Sequence, residues 1–101
     1  MTDNVGAALF MKLRIWIKDS GSWAEVPNGP FPITQAQLSA CRQDFQMELA
    51  ASMPLDTAKQ VPQTVAREIL GVHCPTLSNF DRLMLGFAVT NPKIKVEEVL
   101  S

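Results

Sequence analysis

The sequence predicts an α+β fold: an N-terminal β-hairpin, with or without a third strand from the C-terminal end, packed against about three helices. Three observations carry this. Every second residue from Leu9 to Ile17 is apolar, with Lys12, Arg14 and Lys18 among the residues between, the period of a strand with one buried face. Apolar residues then recur at helical spacing at Leu38, Cys41, Phe45 and Leu49. Later segments are punctuated by Pro62, Gly71 and Pro75, which mark helix starts and stops.

In chain order, residues 1–8 read as a flexible arm and 9–101 as a single small domain. Leu9, Met11, Leu13, Ile15 and Ile17 form the apolar face of the first strand, while Phe10, Lys12, Arg14, Trp16 and Lys18 form the other. Asp19-Ser-Gly-Ser22 is a turn cluster, and Trp23–Val26 resumes strand chemistry. A four-residue loop pairs Lys18 with Trp23, Ile17 with Ala24, Trp16 with Glu25 and Ile15 with Val26, so turn length and apolar pattern agree. The prolines of Pro27–Pro32 are expected to end the sheet, since they lack the N–H a ladder needs.

Thr34 and Gln37 make a capping box that opens a helix running to about Met53. Its core stripe is Leu38, Cys41, Phe45 and Leu49. A second stripe, Ala36, Ala40, Met47 and Ala51, lies opposite and suits close approach by another element. Pro62 suits the first position of the next helix, expected to end at Leu70 with Gly71 as its cap. A third helix is expected from Pro75. Leu83–Val89 either stays helical to Asn91 or turns into a strand, and Lys93–Glu97 alternates as a third strand would. The expected core is Leu13, Ile15, Ile17, Val26, Leu38, Cys41, Phe45, Leu49, Ile69 and Leu77.

Composition narrows the function classes. Hydrophobic residues are 47% and charged residues 19%, an ordinary globular balance. The formal net charge of -1 argues against a wholly electrostatic nucleic-acid binder. The longest apolar run, Leu83–Val89, falls far short of the roughly 20 residues a spanning helix needs. The acidic start at Met1–Asn4 lacks the basic region of a secretory signal. Cys41 and Cys74 are too few for a disulfide framework and read as reduced thiols. A cytoplasmic location with no membrane partner is the expectation.

The catalytic inventory is thin. His73 is the only histidine, and there is no tyrosine. A nucleophile–base set depends on His73, and its neighbour Cys74 is expected to point away from it along an extended turn. Zinc needs about four ligands in chelating pairs, and Cys41, His73 and Cys74 have no such spacing. Asp44 and Glu48 read as one solvated helix face. There is no glycine-rich phosphate loop. No catalytic residue, metal ligand or cofactor site is expected.

Two surfaces remain. Lys12, Arg14, Trp16, Lys18 and Trp23 share the polar face of the hairpin. Cations interleaved with aromatics suit an acidic patch on a partner protein, stacked bases, or a solvated sheet face. The second surface is Val65-Ala-Arg-Glu-Ile-Leu-Gly-Val-His-Cys-Pro-Thr-Leu-Ser-Asn79. This run resembles the helix-turn-helix of repressor-type and antitoxin-type DNA-binding proteins. The resemblance implies a turn at Gly71, packing of Leu70, Val72 and Leu77, and a recognition helix opened by Pro75, Thr76, Ser78 and Asn79. The family has a small residue four before the glycine, where this chain has Arg67. The same residues also read as two core helices joined at a glycine.

The favoured expectation is a small non-enzymatic binding protein, an adaptor, inhibitor or assembly factor acting on a larger protein partner. Phage and plasmid genomes carry many such proteins, an analogy without a motif behind it. The alternative is a DNA-binding transcriptional regulator using residues 62–82, with Thr76, Ser78, Asn79 and Arg82 toward the DNA. A homodimer through the alanine stripe or Leu83–Val89 is a further expectation.

Overall fold

The computed structural model describes residues 11–52 and 61–100. They form β1 (Met11–Asp19), β2 (Ser22–Glu25), α1 (Gln35–Ser52), α2 (Pro62–His73), α3 (Asn79–Thr90) and β3 (Ile94–Leu100). The fold is α+β, a hairpin and three helices whose last strand returns to the sheet. The expected arm at 1–8, strand residues Leu9 and Phe10, and the expected helix end at Met53 lie outside the described residues.

β1 is the central strand of the order β2-β1-β3, antiparallel to both neighbours. The expected register holds at Lys18↔Trp23, Ile17↔Ala24 and Trp16↔Glu25, and the Val26 N–H donates to the Ile15 carbonyl at 2.8 Å. The loop is tighter than expected. Asp19 pairs with Ser22, leaving Ser20 and Gly21 at φ 51° and 87°. Two positive φ values in a row make a two-residue turn whose twist suits a hairpin.

The proline-rich stretch does not end the sheet. Phe31 exchanges both backbone bonds with Leu13, at 2.9 and 2.7 Å, on the side of β1 that β2 leaves free. Pro30 and Pro32 fall at the alternate positions, whose N–H groups this bridge does not use. Phe31 and Ile33 are thereby fully buried, although neither belongs to the expected core.

The capping box forms as expected. The Gln37 N–H donates to Thr34 Oγ1, and the Thr34 N–H donates to Gln37 Oε1, both at 3.0 Å. Pro62 opens α2, but α2 does not stop at Gly71. It runs to His73, with the Cys74 N–H donating to the Leu70 carbonyl. Pro75 ends this helix and does not open the next one. It forces Cys74 to φ -133°, ψ 68°, out of the helical region. α3 instead starts at Asn79, capped by Ser78, whose hydroxyl accepts from the Asp81 N–H at 3.0 Å. Leu83–Val89 is helical throughout.

Gly86 lets α2 approach α3 closely. A Cβ there would collide with the Gln63 amide, which donates to the Leu83 carbonyl at 2.8 Å. Arg42 of α1 donates to the carbonyls of Asn91 and Pro92 at 2.9 and 3.2 Å, fixing the turn into β3. Leu13, Ile15, Val26, Leu38, Cys41, Phe45 and Leu77 are buried as expected, with Ile17, Leu49 and Ile69 packed against them. Phe31, Ile33, Leu70, Leu85 and Val89 complete the core.

Phe31→Ala should cost about 3–5 kcal/mol, because a fully packed ring leaves a cavity. Phe80→Ala, on an exposed helix position, should stay within about 0.5 kcal/mol. Urea titration of both variants checks this. Comparable losses in the two would contradict the packing around Leu13.

Candidate functional site

The alternation of β1, continued by Ile94 to Glu97 of β3, puts two chemically distinct faces on one sheet; beyond that Glu98 falls opposite Leu13 and Val99 opposite Lys12. Leu13 and Ile15 face the helices and are buried. On the other face every described residue is at least partly exposed. The pairing sets Trp16 between Glu25 and Lys95, Arg14 beside Glu97, Lys12 beside Val99 and Lys18 beside Trp23. All five expected residues, Lys12, Arg14, Trp16, Lys18 and Trp23, therefore share this open face.

Their surroundings differ. Arg14 is held by two carboxylates, Nε to Glu25 at 3.2 Å and Nη1 to Glu97 at 3.3 Å. Trp23 is 37% exposed, with Lys18 Nζ 5.1 Å and Lys95 Nζ 4.5 Å from its ring centre, within cation–π range. Lys95 is a member of the face that hairpin reasoning misses, because only the β1–β3 pairing brings it there. Four cations, Lys12, Arg14, Lys18 and Lys95, stand against the carboxylates of Glu25 and Glu97 on this face, a local surplus of positive charge on a chain of net charge -1.

The residues of the expected recognition helix are placed otherwise. Thr76 and Asn79 are exposed. The Ser78 hydroxyl is occupied as the cap of α3. Arg82 folds back, Nη2 donating to the Pro75 carbonyl at 3.2 Å, and its guanidinium lies against Gly71, leaving little room for a side chain there. Gly71 lies inside α2 and makes no turn. Leu70 and Leu77 are buried, but Val72 is 79% exposed, since the continuing helix rotates it outward. An open cleft of 640 Å³ between α2 and α3 is lined by Thr64, Arg67, Glu68, Gly71, Asn79 and Arg82.

The sulfur and imidazole groups are closer than their sequence spacing suggests. Packing α1 against the end of α2 brings Cys41 beside Cys74. Both are free and buried. Burial first, then the neighbouring Cys74, pushes the Cys41 thiol up to about 12. Burial also raises Cys74. Asp44 is not simply a solvated carboxylate: its Oδ2 lies 2.5 Å from His73 Nε2. No sequence motif signals these pairs, because they join two helices. Among the described residues no three His, Cys, Asp or Glu side chains gather where they could hold a metal.

α3 carries one further surface. Phe80 and Phe87 are 55% and 44% exposed, and Leu83 and Met84, between them on the same side of the helix, are only partly covered. The inward residues Leu85, Ala88 and Val89 are buried, so the expected apolar excess of Leu83–Val89 is mostly taken up within the domain's own core.

Neither thiol should react with iodoacetamide in the folded protein at about pH 8, and both should react in urea, because the thiolate is the nucleophile. Since the folded-state thiol titrates above its unfolded value, its contribution is intact below the ordinary thiol range. It is lost as pH rises toward about 12. Rapid labelling of Cys41 without denaturant would contradict its placement.

No protein-family model, no curated protein and no solved structure matches this chain.

Proposed function

We propose that this chain is a non-enzymatic binding protein. It takes an acidic surface of a larger protein partner onto the open face of its sheet, as an adaptor, inhibitor or assembly factor. The observation that carries this reading is Trp23, exposed and flanked by Lys18 and Lys95 on the sheet face opposite the helices. Solubility of a sheet face requires only charge. A tryptophan left in water there is area available to a partner, and Trp is among the side chains most often found as binding anchors. Arg14, already bonded to Glu25 and Glu97, braces the face. Lys12 and Lys18 steer, and Trp16 and Trp23 anchor.

A second reading, DNA binding through residues 62–82, is supported by the exposed Thr76 and Asn79 beside the cleft that also presents Arg67 and Arg82. Both tryptophans of the chain lie on the sheet face, so their fluorescence separates the two. A partner on the sheet changes tryptophan emission directly. DNA on α2 and α3 leaves it nearly unchanged while retarding the protein in a gel, with a salt-dependent affinity.

Against a partner isolated on immobilised wild type, Lys18→Glu should slow association, more at low salt. Trp16→Ala should speed dissociation by about 2 kcal/mol, roughly 30-fold. Neither should unfold the domain. If both variants bind that partner with wild-type rates, the sheet face is not the working surface.

A further inference from the structure

β3 is an edge strand: among the described residues its only sheet neighbour is β1. It is regular from Ile94 to Leu100 and contains no proline or glycine. The Lys18 N–H donates to the Lys93 carbonyl at 3.2 Å, which fixes the phase of the ladder. Lys93, Lys95, Glu97 and Val99 turn their backbone groups toward β1. Ile94, Val96, Glu98 and Leu100 turn theirs outward. An unpaired edge of this kind is a template for another strand.

We infer that this edge pairs antiparallel with β3 of a second copy of the chain about a two-fold axis at Val96. In that register Val96 exchanges backbone bonds with Val96 of the second copy, and Ile94 exchanges them with Glu98. On the open face Lys95 then stands directly opposite Glu97 of the second copy, and Glu97 opposite Lys95, at non-hydrogen-bonded positions where side chains are closest. Sliding the copies one step either way opposes Lys95 to Lys95 or Glu97 to Glu97. Like charges directly across a ladder are destabilising, so the sequence of β3 selects one self-complementary register. The helical side leaves space for it. Ile94 and Val96 are only half-buried, Glu98 and Leu100 are exposed, and a 180 Å³ cleft lined by Gln35, Leu38, Ser39, Arg42, Ile94 and Val96 separates α1 from the core face of β3. The paired sheets run β2-β1-β3-β3-β1-β2, with both tryptophan faces on one continuous surface.

The test uses Lys95→Glu and Glu97→Lys, both at exposed positions, with circular dichroism to check folding. Sedimentation equilibrium is run at up to about 0.2 mM, since a contact confined to one strand edge is weak. The wild type should sediment at twice the 11.1 kDa chain mass. Each single variant opposes like charges at two places and should dimerise about tenfold or more weakly. An equal mixture of the two variants should form a heterodimer. One chain then carries carboxylates at both positions and the other carries ammonium groups at both, so opposite charges face each other on either side of the axis. A wild type that stays monomeric overturns the inference. So does a dimer that both variants leave intact, which would place the contact on another surface such as the Phe80–Phe87 face of α3. Variants that are weakened but not rescued by mixing overturn the register and the inference with it.

Discussion

The structure depends on β1 having one face made for the core and one made for water. Leu13 and Ile15 bury themselves beneath the helices, and the rest of the sheet is placed by attachment to that strand. β2 and β3 pair on its two sides, and Phe31 fills the stretch that β2 is too short to cover. Shifting β1 by one residue would put Arg14 and Trp16 under the helices and Ile15 in solvent. The cost of burying Arg14 away from its carboxylates excludes that register. The strand therefore fixes at once where the core lies and which residues stand on the open face.

The helices close the other side through a few specific contacts. Arg42 is the tie that matters most for the sheet. It reaches from α1 to the carbonyls of Asn91 and Pro92, where α3 ends and β3 begins. The third strand is thus positioned from both sides, by its ladder with β1 and by α1. Asn28, in the loop after β2, donates to Asp81 at 2.8 Å, joining that loop to the first turn of α3. His73 and Asp44 join the end of α2 to the middle of α1. These polar ties span elements far apart in the chain and leave the core free of buried polar side chains among the described residues.

What the sequence reveals follows the range of the interaction. Period-two alternation, the Thr34–Gln37 box and Pro62 at the head of α2 are local signals, and each appears where its residues indicate. The hairpin turn is legible as a turn but not in its length, because Asp19 and Ser22 fit a loop or a closing pair equally well. The end of α2 is not legible because glycine has two meanings. It caps helices through positive φ, and it also allows close approach within them; here α2 continues through Gly71, with the Arg82 guanidinium against it. Phe31 is hidden by its flanking prolines, whose disruptive effect depends on which side of the strand is paired. Lys95, the Cys41–Cys74 contact and the Asp44–His73 pair are tertiary, and no spacing within one element encodes them.

The lateral contacts on the open face explain how it can be both stable and available. Exposed ion pairs such as those of Arg14 contribute about 0.2–1 kcal/mol each, and the lysines over Trp23 contribute about 0.5–1 kcal/mol each. These are enough to order the side chains but too little to replace a partner. Ordering has its own consequence: a face whose Arg14 and Trp23 are already held loses less side-chain entropy on binding. The charges of Arg14 are satisfied within the sheet, while the indole area of Trp16 and Trp23 is not fully covered. On the proposed function, recognition by this face is governed by apolar area at the tryptophans, with the surplus lysines setting orientation and encounter rate. The proposed partner is then a flat acidic surface with an apolar centre, which complements exposed indole area better than a purely anionic one.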